Sequence, residues 1–320
     1  MANVTNTLRN NASGYNALSA EQAEFYQRTM LERLLPELVM MKYGEKKNIP
    51  KRAGDVTSFR RLNPLAVSTT AITEGVTPEN VSLDITKLTA TVKQYGNWVE
   101  GTDWVDMTAL DPIITETTEL LGENAGESTD IIVRDIVAAG TNVFYAGAKT
   151  TRDQVGAADK ITRADVLKIR RSMKRNKVRP IKLPDGSSGY LAFIHTDVAT
   201  DLMKDPEWVS QNTYVNTKNR VDGMIGKMDG IYFLEYDHAP KFVGAGATGA
   251  DVYATIIIGK GAYGVPDIEG SSKPDIIAKG LGENGNDPMN QRWTLAWKSA
   301  FTALRLNELC IVRYESGATQ

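Results

Sequence analysis

An α+β chain, made of an extended β-loop, a long helix and an α/β unit, is what the sequence predicts, and three stretches predict it. Residues 51–103 run as β-type sequence with no evident core of their own. Residues 111–139 repeat apolar side chains at helical spacing. Residues 160–260 alternate helical and strand-like blocks.

The elements follow in chain order. The first eighteen residues are rich in Asn, Thr and Ala and read as an arm, the start of an N-terminal segment over 1–50. Ser19 and Gln22 have capping-box spacing for a helix that begins near Ala20. Phe25, Leu31, Leu34, Leu35 and Leu38 supply its apolar stripe, Pro36 should kink it, and Gly44 ends it. In the extended loop, 51–103, alternation puts Val81, Leu83 and Ile85 on one face and Ser82, Asp84 and Thr86 on the other. The phase slips at Thr86-Lys87 and resumes at Leu88, Ala90 and Val92, which predicts a bulge or bend. A lone hairpin is marginal in water, so a neighbouring molecule is expected to cover it.

A peripheral unit over 104–159 follows, with Asp111 as N-cap and Pro112 at the first turn of a spine helix. Its expected apolar positions are Ile113, Thr117, Leu120, Leu121, Ala125, Ile131, Ile132 and Ile136. Glu116, Glu119, Glu123, Glu127 and Asp130 are expected on other faces, and Gly122 and Gly126 to soften it. Roughly 27 residues at ~1.5 Å each make a rod of about 40 Å. The unit over 160–285 opens with a helix capped by Thr162 and Asp165 and continues through strands at 190–194, 230–235 and 252–258. In 286–320, Trp293, Leu295 and Trp297 alternate, and the segment reads as strands that return to the peripheral body.

The composition is that of an ordinary folded protein: 42% hydrophobic, 24% charged, net charge −2. Coating nucleic acid with the whole surface calls for a basic protein, so broad electrostatic binding is disfavoured. The N-terminus lacks a signal-peptide pattern, and no apolar run approaches the ~20 residues that span a bilayer. Cys310 is the sole cysteine, and Leu309-Cys-Ile-Val312 predicts that it is buried in a protein of a reducing cytoplasm.

Enzyme motifs fail on chemistry. Val243-Gly-Ala-Gly-Ala-Thr-Gly249 has the spacing of a dinucleotide loop, but a helix must follow to face the pyrophosphate, and Asp251–Ile258 reads as a strand. Gly259-Lys260 lacks the rest of a phosphate loop. His195 and His238 have no second ligand at helical spacing, and His195 reads as structural. No cofactor or metal is expected. The densest charge run, 168–182, presents Arg170, Arg171, Lys174 and Arg175; it is a solvated helix face or a contact for an acidic partner.

Several segments, in order, resemble the major capsid proteins of tailed bacteriophages, in particular the subfamily typified by the phage with a virion-carried RNA polymerase. They are Thr73-Glu-Gly-Val-Thr-Pro78, Ala90-Thr-Val-Lys-Gln-Tyr-Gly96, Leu110-Asp-Pro-Ile-Ile-Thr-Glu116 and Glu119-Leu-Leu-Gly-Glu-Asn-Ala-Gly126. Thr141–Gly147, Ile258–Gly264 and Asp287–Trp293 continue the series, while Ala296 stands where glycine is expected.

The resemblance implies the tailed-phage and herpesvirus shell fold: N-terminal arm, extended β-loop, peripheral domain with spine helix, and axial domain over 160–285. It implies hexamers and pentamers of this chain around packaged double-stranded DNA touched non-specifically, with portal and scaffold or decoration proteins as partners and no membrane. It also places the protein in the virion, after assembly in the host bacterial cytoplasm, and makes Asn212–Asp229 a loop at the five- or sixfold axes. The extended-loop residues expected at subunit contacts are Glu74, Val81, Leu83, Ile85 and Leu88, and no lysine–asparagine crosslink is expected. Rival readings are a cellular nanocompartment shell of the same fold, a nucleotide-dependent oxidoreductase using Gly244–Gly249, and a small decoration protein.

Overall fold

The computed structural model describes residues 26–319 apart from 32, 35–37, 66, 70, 73, 78–79, 109–112, 184–185, 213–222, 282–286 and 288. The Ser19/Gln22 cap, Phe25, Leu35, Pro36, the Asp111/Pro112 start and most of the 212–229 loop lie outside the described residues.

A six-stranded sheet holds β1 (Glu45–Ile49), β4 (Lys93–Thr102), β12 (Tyr263–Ile268), β13 (Asp275–Lys279), β14 (Arg292–Phe301) and β15 (Leu304–Arg305). β14 is antiparallel to β4 from Arg292↔Thr102 to Phe301↔Lys93, and to β13 on its other side. The expected alternation holds: Trp293, Leu295 and Trp297 are buried. They pack against Leu121 and Ala125 of the long helix Ile113–Ala138 and against Met30 and Leu34 of the helical residues 26–31 and 33–34. The Trp297 indole N–H donates to Asn124 Oδ1 at 3.0 Å.

β4 lies within the stretch expected to be extended loop, but its full-length pairing with β14 makes it part of this sheet. What projects is a separate two-stranded ribbon of β2 (Val56–Leu62) and β3 (Ile85–Thr91).

The second sheet has eight strands: β5 (Val143–Tyr145), β6 (Ile181–Lys182), β7 (Ser188–Ile194), β8 (Met224–Met228), β9 (Ile231–Glu235), β10 (Lys241–Phe242), β11 (Val252–Ile258) and β16 (Ile311–Ser316). Its main path is β5-β16-β11-β7-β9-β8, with every residue of β11 buried. Helices Arg163–Arg175 and Thr196–Met203 contribute Val166, Ile169, Met173, Val198 and Leu202 to the same core. Thr162 caps the first as expected: its hydroxyl accepts the Asp165 N–H and donates to Asp165 Oδ2 at 2.7 Å.

The closing strands divide. β14 and β15 join the six-stranded sheet, whereas β16 inserts between β5 and β11. A parallel partner 170 residues away in sequence leaves no local pattern to read; what fixes β16 is its apolar Ile311, Val312 and Tyr314, all buried. Its fully buried Glu315 is held by a two-pronged contact from Arg152, at 2.7 and 2.8 Å.

The long helix turns inward a stripe that shares Leu121 and Ala125 with the expected one, with Ile113, Ile132 and Ile136 packed partly buried beside it. Leu121, Ala125, Val133 and Val137 are buried, while Leu120 is 64% exposed. At Gly122 a Cβ would lie 2.5 Å from the Met30 carbonyl, so glycine there lets the N-terminal helix approach. Asp130, expected on a solvated face, is fully buried. Its Oδ1 accepts the Met41 N–H at 3.1 Å, serving the short helix Met40–Tyr43 from across the core. Burial raises its pKa above the usual carboxylate range.

Candidate assembly surfaces

The ribbon keeps a constant register from Val56↔Thr91 to Leu62↔Ile85. Opposed residues in an antiparallel pair share a face. Thr57, Phe59, Arg61, Thr86, Leu88 and Ala90 therefore form one face, and Val56, Ser58, Arg60, Leu62, Ile85, Lys87, Thr89 and Thr91 the other. No bulge occurs at Thr86-Lys87, contrary to expectation. The apolar pattern changes parity because the sheltered face changes: near the body the even positions Leu88 and Ala90 turn inward, and farther out apolar residues lie exposed.

The expected strand over Val81–Thr86 begins only at Ile85. Val81, Leu83 and Ile85 are exposed, Leu83 by 66%, and Glu74 is exposed as well. Leu88 is half-buried on the opposite face from Ile85, so the structure does not bring it together with the other four.

The base of the ribbon is clamped to the body. The Phe59 ring lies against Gly264, where a Cβ would stand 2.7 Å from it. The Lys47 ammonium sits 5.0 Å from the Phe59 ring centre and donates to the Ser58 carbonyl. Arg61 donates to the Leu306 carbonyl at 3.3 Å. Beyond the strands, Asn63 donates to Asp84 through its backbone N–H at 3.0 Å and its side chain at 2.6 Å. Past that bridge Leu65, Val67, Ile72, Val76, Val81 and Leu83 are all exposed. Sequence reading named only the last two of these, because the others show no alternation.

In the helix Arg163–Arg175, Arg171, Lys174 and Arg175 are exposed and Arg170 is half-buried. The last turn is where positive charge suits the helix dipole. A second unforeseen feature is aromatic: Trp98 on β4 and Trp104 just after it are 60% and 69% exposed. No sequence signal marks this exposure, since a tryptophan in a β-type run ordinarily reads as core.

The remaining candidates are structural. His195 caps Thr196–Met203, its Nδ1 accepting the Asp197 N–H at 3.1 Å, and burial lowers its pKa. The Gly244–Gly249 loop joins β10 to β11, an antiparallel pair, and leads into a strand rather than a helix. Gly246 lies close under the Val155 carbonyl, 2.3 Å from where a Cβ would be, so it serves packing rather than freedom. Cys310 is buried, and burial pushes its thiol pKa up. Among the described residues, no helix is long and apolar enough to cross a membrane.

Residues 85–313 match the sequence profile of a family described as phage capsid protein. Comparison with the curated proteins finds no match. Among solved structures, the capsid of Ralstonia phage GP4 aligns with TM-score 0.71 at 14% identity, over 86% of this chain and 87% of that one. The cyanophage Pam1 capsid aligns over 99% of both chains with TM-score 0.65 and 17% identity. The head structure of Helicobacter pylori bacteriophage KHP40 gives TM-score 0.60 at 11% identity, over 86% and 87%.

Proposed function

This chain belongs to the phage capsid protein family, and from that premise we propose how its surfaces work. It is a major capsid protein, a structural subunit of the phage head, with the tailed-phage capsid fold. Copies of it group as pentamers and hexamers and close around double-stranded DNA, in the host bacterial cytoplasm, with portal and scaffold or decoration proteins as partners. The finer kinship is with the subfamily of the phage that carries an RNA polymerase in its virion. The work is mechanical rather than catalytic.

The observation that carries this reading is the row of exposed apolar side chains from Leu62 through Ile85 on a ribbon whose own body does not cover them. An adjacent subunit covers the outward face, with Glu74, Val81, Leu83 and Ile85 in the contact, while Leu88 steadies the ribbon from its sheltered side. Each contact can be of ordinary size, on the order of 800 Å² per partner, because every subunit engages several neighbours at once. Arg170, Arg171, Lys174 and Arg175 meet an acidic partner, the packaged DNA, through charge alone.

Expression of the chain with its phage's scaffold, followed by electron microscopy and sedimentation, tests the proposal. Closed shells are the expected result. A monomer at high concentration that turns over a small metabolite would overturn it.

A further inference from the structure

The six-stranded sheet ends in β1, β13 and β4, and the β13 and β4 edges are treated differently. At β13, Gln27 from the N-terminal helix occupies the edge: its Oε1 accepts the Ile276 N–H at 2.7 Å and its Nε2 donates to the Pro274 carbonyl at 3.0 Å. At β4, no strand among the described residues lies along the side away from β14. β4 has ten residues, no proline and no bulge in its pairing, and only Lys93 and Glu100 are charged. Proteins that expose an edge of that length normally blunt it with charges, proline, bulges or a cover. Here it carries a 60% exposed tryptophan instead, Trp98.

The side-chain pattern marks the outer face. Asn97, Val99 and Gly101 lie opposite the buried Trp297, Leu295 and Trp293, on the helix side. Trp98 therefore stands on the other face, in a cross-strand row with Ala296 and Ile277.

We propose that β4 is an interface strand that pairs antiparallel, across a twofold axis, with β4 of a second copy of this chain, with Trp98 at the axis. The inference rests on the shell-subunit reading only in that it needs neighbouring copies. A twofold axis normal to the sheet keeps outer side chains on the outer face, so odd residues face odd residues and even face even. Placing the axis at Trp98 sets Gln94 against Thr102 and Gly96 against Glu100. It also sets Lys93 against Asp103, the first residue of the short helix that follows β4, at each end of the pairing, opposite charges in both places. The strand is thus complementary to itself, which an isologous contact requires.

The register is read by disulfide trapping in assembled shells. Directly opposed residues have Cα atoms about 4.5–5.5 Å apart, within disulfide reach. Trp98→Cys is expected to convert to covalent dimers on mild oxidation, and a Gln94→Cys/Thr102→Cys double variant to do the same. Glu100→Cys should stay monomeric, because its counterpart is four residues out of register, on the order of 13 Å away. Cys310→Ser serves as the background.

Wild-type shells whose Trp98→Cys and Gln94→Cys/Thr102→Cys forms both stay monomeric overturn the pairing, as does Glu100→Cys crosslinking as readily as Trp98→Cys. Should Trp98→Cys stop assembly, the double variant, which keeps the tryptophan, decides. Failure of the wild-type chain to form shells strikes the functional reading instead, so the two failures are distinguishable.

Discussion

Replacing Leu83 and Ile85 together by aspartate separates folding from assembly. In the isolated subunit these side chains are 66% and 51% exposed. Full burial of a Leu or Ile side chain contributes about 1.5–3 kcal/mol, so covering the exposed part of the two adds about 2–4 kcal/mol. Aspartates there would also carry unpaired charge under cover, at a cost of several kcal/mol per ion where burial is complete. A loss of about 4 kcal/mol per contact is roughly a thousandfold in association constant. The subunit's own stability should move by no more than about 0.5 kcal/mol, because neither side chain supports its core. Thermal unfolding of the purified subunit and electron microscopy of the assembly reaction read the two effects. The expected result is a near-unchanged Tm with no closed particles. Normal particles at wild-type protein concentrations would refute the role given to the ribbon.

Three further outcomes are expected. Gly122→Ala should lower Tm, although alanine favours a helix by about 1 kcal/mol, because its Cβ would sit 2.5 Å from the Met30 carbonyl; a raised Tm would show that the contact yields. The Asp130 pKa is raised, so the native state retains a proton the unfolded chain has released, and this contribution to stability is lost as pH climbs from about 4 through the raised value. Asp130→Asn keeps an acceptor for the Met41 N–H and removes that titration, so its Tm relative to wild type should improve across the same window; a pH-independent difference would count against it. Reversing Arg171, Lys174 and Arg175 to glutamate should leave shells intact but reduce packaged DNA, measured as nucleic acid per particle, and unchanged packaging would remove the assignment.

Local chemistry was legible in the sequence wherever a residue's role depends on near neighbours. The Thr162–Asp165 cap, the alternation of Trp293, Leu295 and Trp297, the buried β11 and the length of the spine helix all follow from short-range pattern. Long-range partners were not legible. Asp130 looks like any acid on a helix until Met41, 89 residues earlier, supplies the N–H it accepts. The parity change between Ile85 and Leu88 reads as a bulge in one strand; only knowledge of where the body stops shows it to be a change of sheltered side. At the candidate surfaces, spacing and charge singled out Val81, Leu83, Ile85 and the basic helix face, all but the half-buried Arg170 exposed, although the strand that the spacing implied begins only at Ile85. Trp98 was not singled out, because a tryptophan in a strand is ordinarily core.

Gln27 bears on whether growth is finite. A sheet with both flanks bare can add subunits at each, and head-to-tail addition that does not close yields a fibre. With the β13 flank stoppered by one glutamine side chain, β4 is the long flank left to join, beside the five-residue β1, and the self-complementary pairing proposed for β4 is used up by a single partner. A two-hydrogen-bond plug thus favours terminated pairs over endless stacking, which is the distinction between a container and a precipitate.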